Sequence, residues 1–268
     1  MGPRTLGAVT RAALALVVVA GWCAGGRAVE VTNPPTKIEH LKYRLVGALS
    51  GSVSGEAAKQ AIGPADAVYY PTVADMFAAL DEGAVAGVAH DRAILAAVAA
   101  GGDSYRVLAE KVLDGEYALA TRLDDAALGD AVATAFAALR EDGELEKLKA
   151  KWLDGSDREK GAPPAPGGSG DEKLRLGVAL VGEPFVYRDS DGGLAGFDIE
   201  LAHMLARKLE RTLEIEEVLS ADLFAALKEG KVDAIGSALM VTADREKDVR
   251  FSPPYAQGGV AVLVRTYW

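Results

Sequence analysis

The stretch EPFVYRDSDGGLAGFDIELAHMLARKL at 183–209, continued by EGKVDAIGSALMVTADREKDVRFSPPY at 229–255, switches repeatedly between the two hydrophobic periods that a chain can carry. The apolar run just before it, 174–180, suits a strand. DSDGG at 189–193 marks a turn, and Leu201, Met204, Leu205 and Leu209 recur at helical spacing within 198–213. The pattern then predicts strand 214–218, a short helix 221–229, strand 231–236, helix 243–248 and strand 259–265. Strands separated by helices are joined by crossovers and lie parallel, which defines the α/β class.

Upstream the grammar repeats. Residues 44–49 and 66–70 read as strands, and Ala74 to Leu80 as a short amphipathic helix entered through Thr72 with Asp75 three residues on. An apolar run at 85–89 precedes a helical stretch at 91–100, and two more helices are expected at about 125–140 and 143–152. ADMFAALDEGAV (74–85) matches ADLFAALKEGKV (221–232) at nine of twelve positions with a constant offset of 147 residues. Each copy lies between two expected strands, so the repeat implies two lobes of related architecture.

Composition narrows the function classes. The chain has 268 residues, half of them apolar, enough for two lobes with their own cores. A formal charge of −10 offers no basic stripe, so nucleic acid is not an expected partner. One cysteine and three scattered histidines provide neither a disulfide nor metal-ligand spacing, and no cofactor is implied. Residues 1–28 carry Arg4 and Arg11, an apolar run from Ala12 to Trp22 and a small-residue site ending at Ala28, the three parts of an export signal. The expected location is periplasmic or exported. Ala20-Gly21-Trp22-Cys23 is similar to a lipoprotein box apart from the bulky Trp22, which makes Cys23 the candidate lipid anchor. Residues 154–173, DGSDREKGAPPAPGGSGDEK, read as a flexible linker.

The quoted stretch resembles the first lobe of the polar amino-acid solute-binding family of ABC importers, through PF, GFDIEL, GKVDAI, the T-x-x-R step and F-S-x-P-Y, over 173–267. Residues 41–122, with VGALSGS at 46–52 and the strand EYALATR, look like that family's second lobe, and 124–153 like the helices that return to the first. The resemblance implies a two-lobed periplasmic binding protein fold with a hinge, in circularly permuted order. Its parts are a second lobe at 29–120, returning helices at 121–153, a linker at 154–172, and the first lobe with a strand to the hinge at 173–268. A single covalent crossing between lobes is then expected near 116–122, with Trp268 beside residues 30–40.

A free amino acid presents a carboxylate and an ammonium, which call for a fork of donors and an acceptor. The resemblance places Arg245 at the carboxylate, with the N-terminus of helix 243–248 aimed at the same anion, and Asp91 at the ammonium. From the residues alone, Asp91 reads equally as the cap of helix 92–100. Ser237, Thr242, Ser52, Met240, Gly182 and Ser220 complete the expected site. Several depart from the family pattern: Ala179 and Gly182 stand for an acid and an aromatic, Met240 and Ala238 for hydroxyl residues, and Ser220 for a stacking ring. The implied function is solute capture for an ABC permease, by a monomer or a domain-swapped dimer. Two other readings stay open: a dehydratase of the cyclohexadienyl or prephenate type, with Glu183 as its acid, and a degenerate sensory pair that binds a partner protein.

Overall fold

The computed structural model describes residues 34–63, 65–154, 168 and 170–267. The export segment 1–28, Cys23, Trp268 and most of the linker lie outside the described residues. In chain order the first elements are β1 (Leu45–Leu49), α1 (Ser54–Ile62), β2 (Asp66–Tyr70), α2 (Val73–Asp81), β3 (Gly87–Asp91), α3 (Arg92–Ala99), β4 (Tyr105–Val107) and β5 (Leu113–Tyr117). There follow β6 (Ala120–Arg122), α4 (Ala126–Glu141), α5 (Glu144–Lys149), β7 (Lys173–Val178), the hairpin β8 (Tyr187–Arg188) and β9 (Leu194–Ala195), α6 (Phe197–Lys208) and β10 (Thr212–Glu217). Last come α7 (Leu223–Lys228), β11 (Ala234–Gly236), β12 (Val249–Phe251) and β13 (Ala256–Arg265).

Two sheets form two lobes. Counted from here on in chain order, the first lobe (the family's second) has the order β2-β1-β3-β13-β4, with β5 also on β13, and the second lobe (the family's first) the order β10-β7-β11-β6-β12. In the first, β1 pairs in parallel with β2 and β3; in the second, β7 pairs in parallel with β10 and β11. Each sheet therefore starts from one β-α-β-α-β unit with its first strand in the middle, and the repeated sequences, α2 and α7, occupy the same place in both. All five residues of β3 are buried, as a parallel strand covered on both faces requires. Thr72 caps α2 by accepting the Asp75 N–H at 3.1 Å, the cap its sequence predicts. Asp233 of GKVDAI grips Arg175 through both oxygens, at 2.6 and 3.1 Å, and so ties the start of β11 to β7.

The helices 126–149 lie on the second lobe. Lys151 Nζ and Trp152 Nε1 both donate to Glu200 Oε2 of α6, at 2.7 and 2.8 Å, and Lys208 pairs with Asp142. The lobes are joined by two covalent strands, not one. The chain passes from β5 to β6 and returns from β12 to β13, because the buried run Val260–Val264 of β13 belongs between β3 and β4. The two connections run side by side: Ser252 N donates to Leu119 O at 2.8 Å, Leu119 N to Ser252 Oγ at 3.1 Å, and Tyr255 N to Tyr117 O at 2.9 Å. The F-S-x-P-Y motif is thus the clasp of the hinge. Around it Tyr117, Phe185, Phe197 and Tyr255 form a closed ring of buried aromatics, with successive centroids 5.2, 6.3, 5.0 and 6.5 Å apart.

Two expected helices are shorter than their patterns. The helix predicted to reach 213 ends at Lys208, because Glu210 turns left-handed (φ 54°) and Thr212 starts the pairing with β7. The helix expected at 243–248 is one 3₁₀ turn, Arg245–Lys247, since β12 begins at Val249. Its terminus has no run of aligned N–H groups to offer an anion.

Gly258 is where the hinge packs most tightly: a methyl group there would overlap the Tyr117 ring. Gly258→Ala should therefore lower stability by about 1–3 kcal/mol, read by urea unfolding, and should cost much less in a Tyr117→Ala background. An equal cost in both backgrounds would show that the ring does not set the constraint.

Candidate functional site

Where the lobes meet, a polar cavity of about 30 Å³ is lined from the first lobe by Ser52, His90 and Asp91, and from the second by Ser220, Ser237, Met240 and Arg245. Six of the eight expected residues line it. Gly182 does not: it faces Ile94 of the first lobe, whose Cγ2 would lie 2.9 Å from an added Cβ. Thr242 does not either; its hydroxyl accepts the Arg245 N–H at 3.3 Å and so shapes the turn that carries the arginine. Glu183 is half-buried and is not among the lining residues.

Asp91 stands at the end of β3, 8% exposed, and makes no side-chain cap to α3. Its carboxylate instead accepts the Tyr117 hydroxyl, which in turn accepts the Gly259 N–H at 3.2 Å. Burial, and then the Asp91 charge, push the Tyr117 hydroxyl well above the usual tyrosine range, so it stays a donor. His90, 1% exposed, donates from Nε2 to Val181 O of the opposite lobe at 3.1 Å; a carbonyl only accepts, so Nε2 carries the proton. Its Nδ1 lies 3.4 Å from Asp91 Oδ2.

Arg245 is placed from the other side. Its guanidinium donates to Met240 O at 2.8 Å and, across the seam, to Gly51 O at 3.0 Å, and it lies 5.0 Å from the Phe224 ring centroid. Burial lowers its proton affinity, an effect that the Asp91 carboxylate opposes. Gly51 is in the left-handed region (φ 79°), and a Cβ there would sit 2.6 Å from the backbone of Ala221, so the lobes touch at this glycine.

Two serines are engaged by backbone. Ser52 Oγ donates to Leu49 O at 2.7 Å, and Ser237 Oγ donates to Ala179 O at 3.0 Å while accepting Ala179 N–H at 2.8 Å. Ser237 thus pins the loop 237–240 to β7. The same loop is held by Asp198, fully buried, whose Oδ2 accepts the N–H of Ala238 at 2.6 Å. Ala238 is left-handed (φ 48°), a costly conformation for a residue with a Cβ, and the charge-assisted bond offsets that cost. Burial pushes the Asp198 carboxyl up to about 6; the Tyr255 hydroxyl and the Ala238 N–H pull it down, and Asp91 adds to the rise.

The residues that the motif reading passed over, Tyr117, His90, Phe224, Asp198 and Tyr255, all lie inside or next to the stretches named from sequence. EYALATR, the repeat, GFDIEL and F-S-x-P-Y hold one each, and His90 ends the run VAGVAH at 85–90, directly before Asp91. Among the described residues no group of three or more His, Cys, Asp or Glu side chains gathers for a metal, and no helix is long and apolar enough to cross a membrane.

Two lobes whose sheets share one strand order meet at a cavity lined by an acid from one and an arginine from the other, and so form a two-lobed fold of α/β class. Over residues 174–267 this chain matches the family described as bacterial extracellular solute-binding proteins, family 3. It is similar to a probable amino-acid-binding protein of Bacillus subtilis, 32% identical over 95 residues, 35% of this chain and 36% of the relative. It is also similar to an arginine-binding extracellular protein of Bacillus subtilis, 38% identical over 87 residues, 32% of this chain and 34% of the relative. A solved structure of an ancestral cyclohexadienyl dehydratase is 37% identical, with 31% of this chain and 35% of that one covered and a TM-score of 0.30. The chain spans about a third of the length of the curated relatives it matches.

Asp198 supplies a pH signature. Its proton affinity is higher folded than unfolded, so its contribution to stability should grow as pH falls from 7 through about 6 towards 4, by roughly 3 kcal/mol in all. Asp198→Asn keeps the acceptor for Ala238 and removes the charge. Its melting temperature should exceed the wild type's at pH 7.5, and the gap should close by pH 4.5. Parallel pH profiles for the two proteins would contradict this.

Proposed function

We propose that this protein is the exported binding component of an ABC importer and that it captures a free amino acid, or a related small polar solute, between its lobes. The observation that supports the reading is that Asp91 and Arg245, carried by different sheets, line one cavity. A zwitterion placed there joins acid to ammonium and guanidinium to carboxylate, and every such bond favours the closed arrangement over the open one. At about 30 Å³ the cavity is the size of one water, so an amino acid enters only when the lobes part. Protein groups then hand over their places: Gly51 O and Met240 O release Arg245, and Asp91 keeps the Tyr117 hydroxyl while its other lone pairs take the ammonium. A permease that reads the closed form receives the solute.

We read the lobes as permuted along the chain, the family segment coming last and the lobe of 41–122 first; the shared strand order of the two sheets supports two equivalent halves. The segments 29–120, 121–153, 154–172 and 173–268 are then a lobe, the helices returning to its partner, a linker and the partner lobe. We place the protein outside the cytoplasm, released by cleavage after Ala28 or, where cleavage falls before Cys23, held by a lipid on that cysteine, and as a monomer or a swapped dimer.

The test is calorimetry with single amino acids on three proteins. Arg245→Lys should weaken binding about tenfold or more, because an ammonium cannot reproduce the two-pronged guanidinium. Asp91→Asn should weaken it by about as much or more, since it leaves the ligand's ammonium without a counter-charge. Equal affinity for wild type and both variants would remove Asp91 and Arg245 from the site.

A further inference from the structure

Three cavities follow the seam between the lobes. On one side of the polar cavity lies a groove of about 620 Å³, and on the other a cavity of about 260 Å³. They are not equally open to a solute held at Asp91 and Arg245. The groove shares Gly51, Phe224 and Arg245 with the polar cavity, and those are the residues of the arginine clamp itself. A side chain that left in this direction would have to pass the guanidinium that holds its own carboxylate.

The 260 Å³ cavity meets the polar one at Leu49 and Ser220. Its walls are mainly apolar: Val73 and Ala74 from the first turn of α2, Ala179 and Leu180 after β7, and Val218 and Leu219 after β10. The single acid on its lining, Glu217, is already paired with Arg188 Nη2 at 2.5 Å. Thr72, which also lines it, has its hydroxyl engaged with Asp75. Apart from the Ser220 hydroxyl, at the mouth shared with the first cavity, every polar side chain among the described lining residues is already engaged.

We propose that the 260 Å³ cavity is the side-chain subsite, and that the solute is an α-amino acid with a large apolar side chain, such as leucine, methionine or phenylalanine. The proposal rests on the reading of the polar cavity as the zwitterion clamp. An apolar side chain in this position gains from burial and leaves no buried polar group of its own unpaired; an arginine or glutamine side chain loses hydration with a single serine hydroxyl to replace it.

The experiment is a thermal-shift and calorimetric panel of the common amino acids on the full chain. Leucine, methionine or phenylalanine should bind tightest, alanine about tenfold more weakly because it does not reach the subsite, and arginine, glutamine and glutamate more weakly still. Ala74, exposed on the first turn of α2, gives the second arm. Ala74→Glu suits a helix N-terminus, so it should fold, and it should weaken the apolar ligands while improving lysine and arginine. Tightest binding by arginine, glutamine or glutamate, or alanine equal to leucine, would overturn the subsite while leaving an amino-acid binder. Failure of every amino acid to bind would overturn the clamp and the subsite together. An unchanged ranking in Ala74→Glu would place the side chain elsewhere.

Discussion

Asp91, at the end of β3, and Arg245, on the 3₁₀ turn before β12, are opposite charges that arrive from different lobes and line one cavity, and the groups around them hold them there. A buried charge without partners is strongly destabilising, so each has been given protein partners in the closed arrangement. Asp91 takes the Tyr117 hydroxyl, and Arg245 takes two carbonyls, one from each lobe. These partners are modest hydrogen bonds, weaker than an ion pair with a zwitterion would be.

A second layer of buried polar groups holds the first in place. Asp198 and Ser237 fix the loop that carries Met240, and Ser252 and Tyr255 fasten the two connecting strands to one another. The glycine at 258 lets the Tyr117 ring lie flat against β13, so that its hydroxyl reaches both Asp91 and Gly259. Site and hinge are one construction here, since Tyr117 belongs to both.

The parallel strands, α2, α7 and the two lobes were legible in the sequence, because apolar periodicity and the 74–85 repeat report burial directly. α1 was not, since its buried face is Ser54, Gly55, Ala57, Ala58 and Ile62, and a single large residue at its end leaves no hydrophobic stripe. The helix ending at Lys208 was overread because Leu213 continues its spacing although it lies in β10. The second crossing was missed because β13 is an apolar run whose sheet is chosen by its neighbours, not by its own pattern. Asp91 and Arg245 could be named from motifs. Tyr117 and Asp198 could not, because each finds its partner across the fold, 26 and 40 residues away along the chain.

The central claim is that solute held between Asp91 and Arg245 draws two lobes together. Spin labels at Glu82 and Glu229, exposed and equivalent positions within the two copies of the repeat on different lobes, report this directly through their distance distribution. The account predicts that a saturating amino-acid ligand shifts the population to the shorter distance in the wild type, and does so far less in Arg245→Lys. A distribution that bound ligand leaves unchanged would contradict it.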